Sequence, residues 1–128
     1  MFAGALWLGA AALFAAPPAQ AQAPPPAGAV TGGCPGRLVR ALPLPGAAGE
    51  VRVYRTRTRA CAVAVARDAG AGRRAMAVAL QSRGGVPVRD AGRFVRYAGP
   101  VTVPTVNRCV YAKGAVAGGS VDSGWILC

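Results

Sequence analysis

Two hydrophobic patterns follow one another along the chain. Residues 1–16 (MFAGALWLGAAALFAA) are apolar throughout, whereas from Cys34 onward apolar residues come in short β-branched bursts separated by Gly, Pro and Asp. Short alternating runs bounded by turn residues mark an all-β domain, and no stretch sustains the 3.6-residue period of an amphipathic helix. Glu50-Val51-Arg52-Val53-Tyr54-Arg55 alternates, residues 56–59 can turn, and Cys61-Ala62-Val63-Ala64-Val65 alternates again. This predicts a hairpin in which Val51, Val53, Cys61, Val63 and Val65 share a buried face, with Arg52 and Tyr54 on a basic face beside Ala62 and Ala64. Further strands are expected over 75–80, 93–103 and 108–116, with Gly84-Gly85, Pro104 and Gly118-Gly119 as punctuation. Ala, Met and Leu in 75–80 also favour helix, but strand is the preferred reading there. No internal repeat is evident.

The apolar opening reads as an address rather than a fold. It ends at Pro17-Pro18 after about 16 residues, short of the roughly 20 a membrane-spanning helix needs, and Ala19-Gln20-Ala21 supplies the small residues of a signal-peptidase site. Cleavage after Ala21 is expected, although no Lys or Arg opens the segment. Residues 22–33 (QAPPPAGAVTGG) offer little to bury and should form an extended spacer. The expected organisation is therefore a signal peptide at 1–21, a spacer at 22–33 and a single β-rich domain at 34–128.

Cysteine usage fits that address. Cys34, Cys61, Cys109 and Cys128 lack the close Cys pairs or accompanying His of zinc sites, and in a small exported chain they read as two disulfides. Of the three possible pairings, Cys34 with Cys61 and Cys109 with Cys128 is preferred, because each then clips a separate end of the domain onto the sheet. Loops of about 28 and 20 residues would each contribute roughly 3 to 4 kcal/mol by chain-entropy estimates. The expected fold is thus a small, disulfide-stapled antiparallel sheet or sandwich.

Charge changes the picture of the surface. The formal net charge is +11; Lys113 is the one lysine among fifteen basic residues, and the acids are Glu50, Asp68, Asp90 and Asp122. Such an excess favours anionic partners such as nucleic acid, the teichoic acids of cell walls, acidic lipids or polysaccharide. Heavy Ala, Gly, Val and Pro usage also fits a coding bias that places Arg where Lys would serve. The candidate anion-binding set is Arg52, Arg55, Arg57, Arg59, Arg93 and Arg96. Tyr54, Phe94, Tyr97, Tyr111 and Trp125 stand among these arginines in the manner of a nucleic-acid surface. They are expected instead to pack in the core or against the disulfides, and export argues against genomic nucleic acid as a target.

Catalytic chemistry has little to stand on. The chain contains no histidine, which removes the usual general base, Ser-His-acid triads and His-ligated metals. Asp68-Ala69-Gly70, Asp90-Ala91-Gly92 and Asp122-Ser123-Gly124 each read as a turn capped by Asp rather than half of a carboxylate pair. Ser82, Ser120, Ser123, Thr56 and Thr58 lack a base. No Walker loop, dinucleotide fingerprint or calcium loop is present. No cofactor and no small-molecule substrate is implied.

The most specific text is Asp90-Ala91-Gly92-Arg93-Phe94-Val95-Arg96-Tyr97-Ala98-Gly99-Pro100-Val101-Thr102-Val103, then Arg108-Cys109-Val110-Tyr111, and finally Ser123-Gly124-Trp125-Ile126-Leu127-Cys128. With Cys34, the Val51–Tyr54 strand and Cys61, this order resembles the spore-associated protein A family of small secreted actinobacterial proteins. Ala60 stands where that family tends to have Asn, and Tyr111 where it often has Trp. The resemblance implies an exported protein of spores or aerial cells with no catalytic residues to transfer. Tyr97-Ala98-Gly99-Pro100 is expected to form a corner between strands. Two functions compete: a non-enzymatic structural or binding protein of the envelope, and a secreted cationic effector, antimicrobial or proteinase-inhibiting.

A domain of this size with many alanines and few aromatics has a stability of about 5 to 10 kcal/mol, comparable with what the bridges contribute. Reductant is therefore expected to abolish or sharply lower the melting transition. Coincident melting curves with and without reductant would remove the disulfides from the account of stability.

Overall fold

The computed structural model describes residues 33–128. The expected signal peptide and nearly all of the spacer lie outside the described residues. These described residues form eight strands: β1 Arg37–Pro43, β2 Gly49–Arg55, β3 Arg59–Ala66, β4 Arg74–Ser82, β5 Val88–Phe94, β6 Tyr97–Pro104, β7 Val110–Val116 and β8 Gly119–Ile126. They build two four-stranded sheets, ordered β1-β2-β3-β6 and β5-β4-β7-β8, in which every neighbour is antiparallel. β2 lies over β7, β3 over β4 and β7, and β6 over β4 and β5, so the sheets stack as a sandwich. The all-β reading of the sequence holds.

Alternation explains which residues meet between the sheets. Met76, Val78, Leu80 and Ser82 of β4 point inward and are buried, while Ala75, Ala77, Ala79 and Gln81 between them are not. A helix would scatter that two-residue period around its circumference, and pairing with both β5 and β7 settles the segment as strand despite its helix-favouring composition. Val51 and Val53 of β2, Ala62 and Ala64 of β3, Val101 and Val103 of β6, Val110, Ala112 and Val116 of β7, and Ile126 of β8 join them in the core.

The hairpin of β2 and β3 forms around residues 56–59, but its faces differ from the expected ones. Arg55 pairs with Ala60, so the loop holds four residues and Val51 faces Ala64, Val53 faces Ala62, and Tyr54 faces Cys61. An odd-numbered loop would have put the valines of both strands together; the even one puts each β2 valine beside a β3 alanine. Cys61 and Val63 consequently join Tyr54 on the outer face, where Cys34 covers them as a second small core. This outer face is largely a buried seam rather than the basic face anticipated for it.

Small residues on the inner face let the sheets approach closely. A Cβ on Gly114 of β7 would sit 2.5 Å from Val51 Cγ2 and 3.1 Å from the Ala77 carbonyl oxygen. Bulk is carried on one side of each contact and its absence on the other.

Three other expectations are corrected. Residues 93–103 form parts of β5 and β6, with the change of sheet at Val95 and Arg96. Tyr97-Ala98-Gly99-Pro100 is therefore not the corner; it begins β6, where the register slips opposite Val63 so that Gly99 and Pro100 together face one residue. Gly99 has φ +102 and its peptide to Pro100 is cis. Asp90 caps no turn: it lies inside β5 opposite Val78, and its Oδ2 accepts the Gly99 N–H at 2.8 Å. The slip takes Gly99 out of the regular ladder, and the carboxylate supplies the acceptor that it lacks there. The Asp68 and Asp122 side chains do cap locally, accepting from Gly70 N at 2.9 Å and Gly124 N at 3.2 Å.

Disulfides join Cys34 to Cys61, with Cα atoms 5.6 Å apart, and Cys109 to Cys128, with Cα atoms 4.2 Å apart. This is the preferred pairing. The first bridge fastens the segment before β1 onto β3, and the second fastens the segment after β8 to the residue before β7. Two bridges in so small a domain point to an oxidising, extracellular environment. No helix among the described residues is long and apolar enough to cross a membrane.

Gly114→Ala should lower stability by about 1 to 3 kcal/mol, because the added methyl overfills the inter-sheet contact. Combined with Val51→Ala, the loss should be smaller than the sum of the two single losses, since each change makes room for the other. Urea unfolding of the oxidised proteins reads both, and simple additivity would mean that the two positions do not compete for space.

Candidate anion-binding site

The strand registers sort the arginines by position. Arg37 pairs with Arg55 at one end of the first sheet, and Arg59 pairs with Pro104 at that same end. In the hairpin loop the Thr56 N–H donates to the Arg59 carbonyl at 2.9 Å, and the Arg59 N–H donates to Thr56 Oγ1 at 3.1 Å, leaving Arg57 and Arg59 exposed at the tip. The link from β6 to β7 crosses the end of the sandwich here. Thr105 N–H donates to the Thr58 carbonyl at 2.9 Å, Arg108 N–H closes a turn onto the Thr105 carbonyl at 3.2 Å, and Arg83 N–H donates to the Cys109 carbonyl at 2.9 Å. Asn107 occupies the left-handed position of that turn at φ +56, which its short polar side chain tolerates.

This end of the sandwich therefore gathers Arg37, Arg55, Arg57, Arg59, Arg83 and Arg108. The acids stand elsewhere: Glu50 begins β2 at the opposite end, Asp68 follows β3 there, and Asp90 and Asp122 face Val78 and Lys113 along the second sheet. Among the described residues the ion pair within 4.0 Å is Arg52 with Glu50. The Glu50 hydrogen bond raises the pKa of Arg52 above its ordinary value, with burial opposing it.

Of the six arginines singled out in the sequence, Arg55, Arg57 and Arg59 share the basic end. Arg52 is drawn to Glu50. Arg93 and Arg96 flank the corner at the far end, where the Arg96 carbonyl accepts the Ala66 N–H. Positions 59 and 65 of β3 mark the two ends, about 20 Å apart at strand rise, so the set does not form one face. Arg37, Arg83 and Arg108 belong with the hairpin arginines instead, and only the strand order and the course of the β6–β7 link bring them there. At the far end Arg73 and Arg74 are occupied by backbone carbonyls, Arg73 donating to Arg93 O at 3.3 Å and Arg74 to Gly72 O at 3.2 Å.

Between the hairpin, the β6–β7 link and the Cys109–Cys128 bridge lies a cavity of about 430 Å³ whose lining includes Arg55, Thr105, Asn107 and Arg108. A second hollow, about 380 Å³, adjoins it under Arg83 and shares Asn107 and Arg108. Both open toward solvent beside the exposed arginines. No cluster of three His, Cys, Asp or Glu able to hold a metal ion occurs among the described residues.

The aromatic residues depart from expectation in part. Tyr54 is buried against the Cys34–Cys61 seam and Phe94 packs partly on the core, but Trp125 is 42% exposed and Tyr97 40%. Trp125 stands edge-to-face with Tyr111 at 5.4 Å between centroids, and the Arg83 guanidinium lies 5.5 Å from the Trp125 ring. Burial, and after it the Asp122 carboxylate, hold the Tyr111 phenol above its ordinary pKa.

The hydroxyls are mostly engaged in structure. Ser82 Oγ donates to the Pro104 carbonyl, tying the sheets at the basic end. Ser123 Oγ accepts the Ala112 N–H at 3.0 Å and donates to the Gly124 carbonyl at 2.6 Å, filling a gap in the ladder where β8 slips past β7. Comparison of the chain with family models, curated proteins and solved structures finds no match.

Asp90 is thereby a structural carboxylate. Asp90→Ala should cost about 1.5 to 3 kcal/mol by stranding the Gly99 N–H, whereas Asp90→Asn keeps an acceptor and should cost less than half as much. Equal losses for the two variants would show that the carboxylate charge, rather than its hydrogen bond, is what β6 requires.

Proposed function

We propose that this is an exported, non-enzymatic protein of the cell envelope or spore surface that adheres to anionic polymers through the arginine-rich end of its sandwich. The observation that carries the reading is the gathering of Arg37, Arg55, Arg57, Arg59, Arg83 and Arg108 at one end that holds no acidic side chain. Clustered charge of one sign raises the local potential and draws in polyanions, whereas the same charge spread evenly would not. The four carboxylates support the non-enzymatic part, since Asp68, Asp90 and Asp122 accept backbone N–H groups and Glu50 pairs with Arg52. Membership of the spore-associated protein A family is part of the same reading, supported by the order of cysteines, the Val51–Tyr54 strand and the Tyr97–Pro100 segment.

Mature oxidised protein should bind intact cell walls or spores at low salt and be released as the salt approaches about 1 M, where the screening length falls to about 3 Å. Arg57→Glu with Arg59→Glu should release at clearly lower salt, and Arg93→Glu with Arg96→Glu should shift release much less. Retention that ignores salt, or equal shifts for both pairs, would overturn the charge-based tether.

A further inference from the structure

One side chain at the basic end is out of keeping with its surroundings. Thr105 is 1% exposed, and among the described residues its Oγ1 has no hydrogen-bond partner. A buried hydroxyl without a partner is unfavourable and uncommon. Its backbone is satisfied on both sides, by Thr58 and Arg108, so the unpaired group is the hydroxyl alone. Thr105 lines the cavity together with Arg55, Asn107 and Arg108. The Arg55 and Arg108 guanidinium groups make no hydrogen bond or ion pair among the described residues.

We propose that this cavity is a phosphate subsite, in which Arg55, Arg108, Asn107 and Thr105 donate to one phosphate group. Each guanidinium is a planar fork that matches two oxygens of an oxyanion. The Asn107 amide and the Thr105 hydroxyl add single donors from other parts of the wall. Donors arriving from four side chains suit a tetrahedral group with several acceptor oxygens better than a carboxylate, which has two. Cys109, Leu127 and Cys128 complete the lining, and among the described residues it includes no Asp or Glu. The inference rests on the reading that this end meets polyanions and specifies the group recognised: a phosphate, free or within a phosphodiester polymer. The exposed Arg57 and Arg59 would guide the chain of charges, and the cavity would hold one of them.

The test uses oxidised protein covering the mature domain, at ionic strength held constant with chloride. Inorganic phosphate, dimethyl phosphate and acetate are titrated while backbone amide signals and melting temperature are followed. Phosphate should shift the amides of Thr105, Asn107 and Arg108 saturably and raise the melting temperature. Arg108→Gln should weaken the binding by about tenfold or more. Thr105→Val keeps the side-chain volume and removes the hydroxyl, so it should melt higher than the parent without phosphate and gain less from phosphate. Dimethyl phosphate binding as well as phosphate identifies a polymer diester as the guest; binding of inorganic phosphate alone identifies a free or terminal phosphate. Acetate acting as strongly as phosphate, or a phosphate response unchanged in both variants, overturns the subsite. Failure of the subsite leaves salt-dependent retention by Arg57 and Arg59 intact, whereas a loss of polymer retention with the phosphate response intact overturns the broader reading alone.

Discussion

The Cys109–Cys128 bridge and the arginines around it act on the same piece of structure in opposite senses. Like charges gathered at one end of a small domain repel, and no acidic side chain at that end relieves them. The β6–β7 link that carries Arg108 has three backbone hydrogen bonds to hold it, to Thr58, within its own turn, and to Arg83. The covalent tie from Cys109 to Cys128 fixes the far side of the same link. Cys34–Cys61 fastens β3 two residues from the hairpin tip. Both bridges thus stand near the basic end rather than the end where Arg73 and Arg74 donate to backbone carbonyls. The site and the staples belong together, since an open loop would let Arg55 and Arg108 move apart.

The rest of the molecule gains its order from shape rather than from bulk. The inner faces are dominated by valine and alanine, with only a few larger core side chains: Met76 and Leu80 of β4, Leu44 after β1 and Ile126 of β8. With so little apolar area to bury, the sheets must come close for the contacts to count. Gly114 beneath Val51 is where the approach is tightest. The same economy explains the second small core outside the first sheet, where Cys34, Tyr54, Cys61 and Val63 bury surface that a two-layer sandwich would leave wet.

The strands with regular alternation and branched residues were legible in the sequence: β2, β3, most of β4 and all of β7, with β6 inside the expected run 93–103, together with the hairpin loop between β2 and β3 and the disulfide pairing. β1 escaped because its Arg-Leu-Val-Arg-Ala-Leu run is an exposed edge with a bulge between Leu38 and Arg40, which breaks the two-residue period. β8 escaped for a related reason. Its Ser123-Gly124 step reads as a turn and is in fact a bulge, where a serine hydroxyl stands in for a backbone acceptor. The Asp90 motif misled because Asp-x-Gly specifies a local acceptor only when no more distant N–H is stranded, and Gly99 was. For the faces of the hairpin, loop parity decided the matter, and a turn of four residues differs from one of three or five only by where the last strand residue is placed.

The candidate site was half legible, and the missing half shows what kind of information a linear reading lacks. Arg55, Arg57 and Arg59 are neighbours along the chain and remain neighbours in space. Arg37, Arg83 and Arg108 reach them through an edge strand, a strand end and a crossing link, which together depend on the order of all eight strands. A coding bias toward arginine explains the total of basic residues equally well in any fold. It does not explain why the acids are confined to the rest of the molecule, nor why a buried threonine beside two guanidinium groups should, like them, lack a hydrogen-bond partner among the described residues. Placement relative to acids and to unsatisfied donors, rather than the net charge of +11, is what distinguishes a binding end from a basic composition.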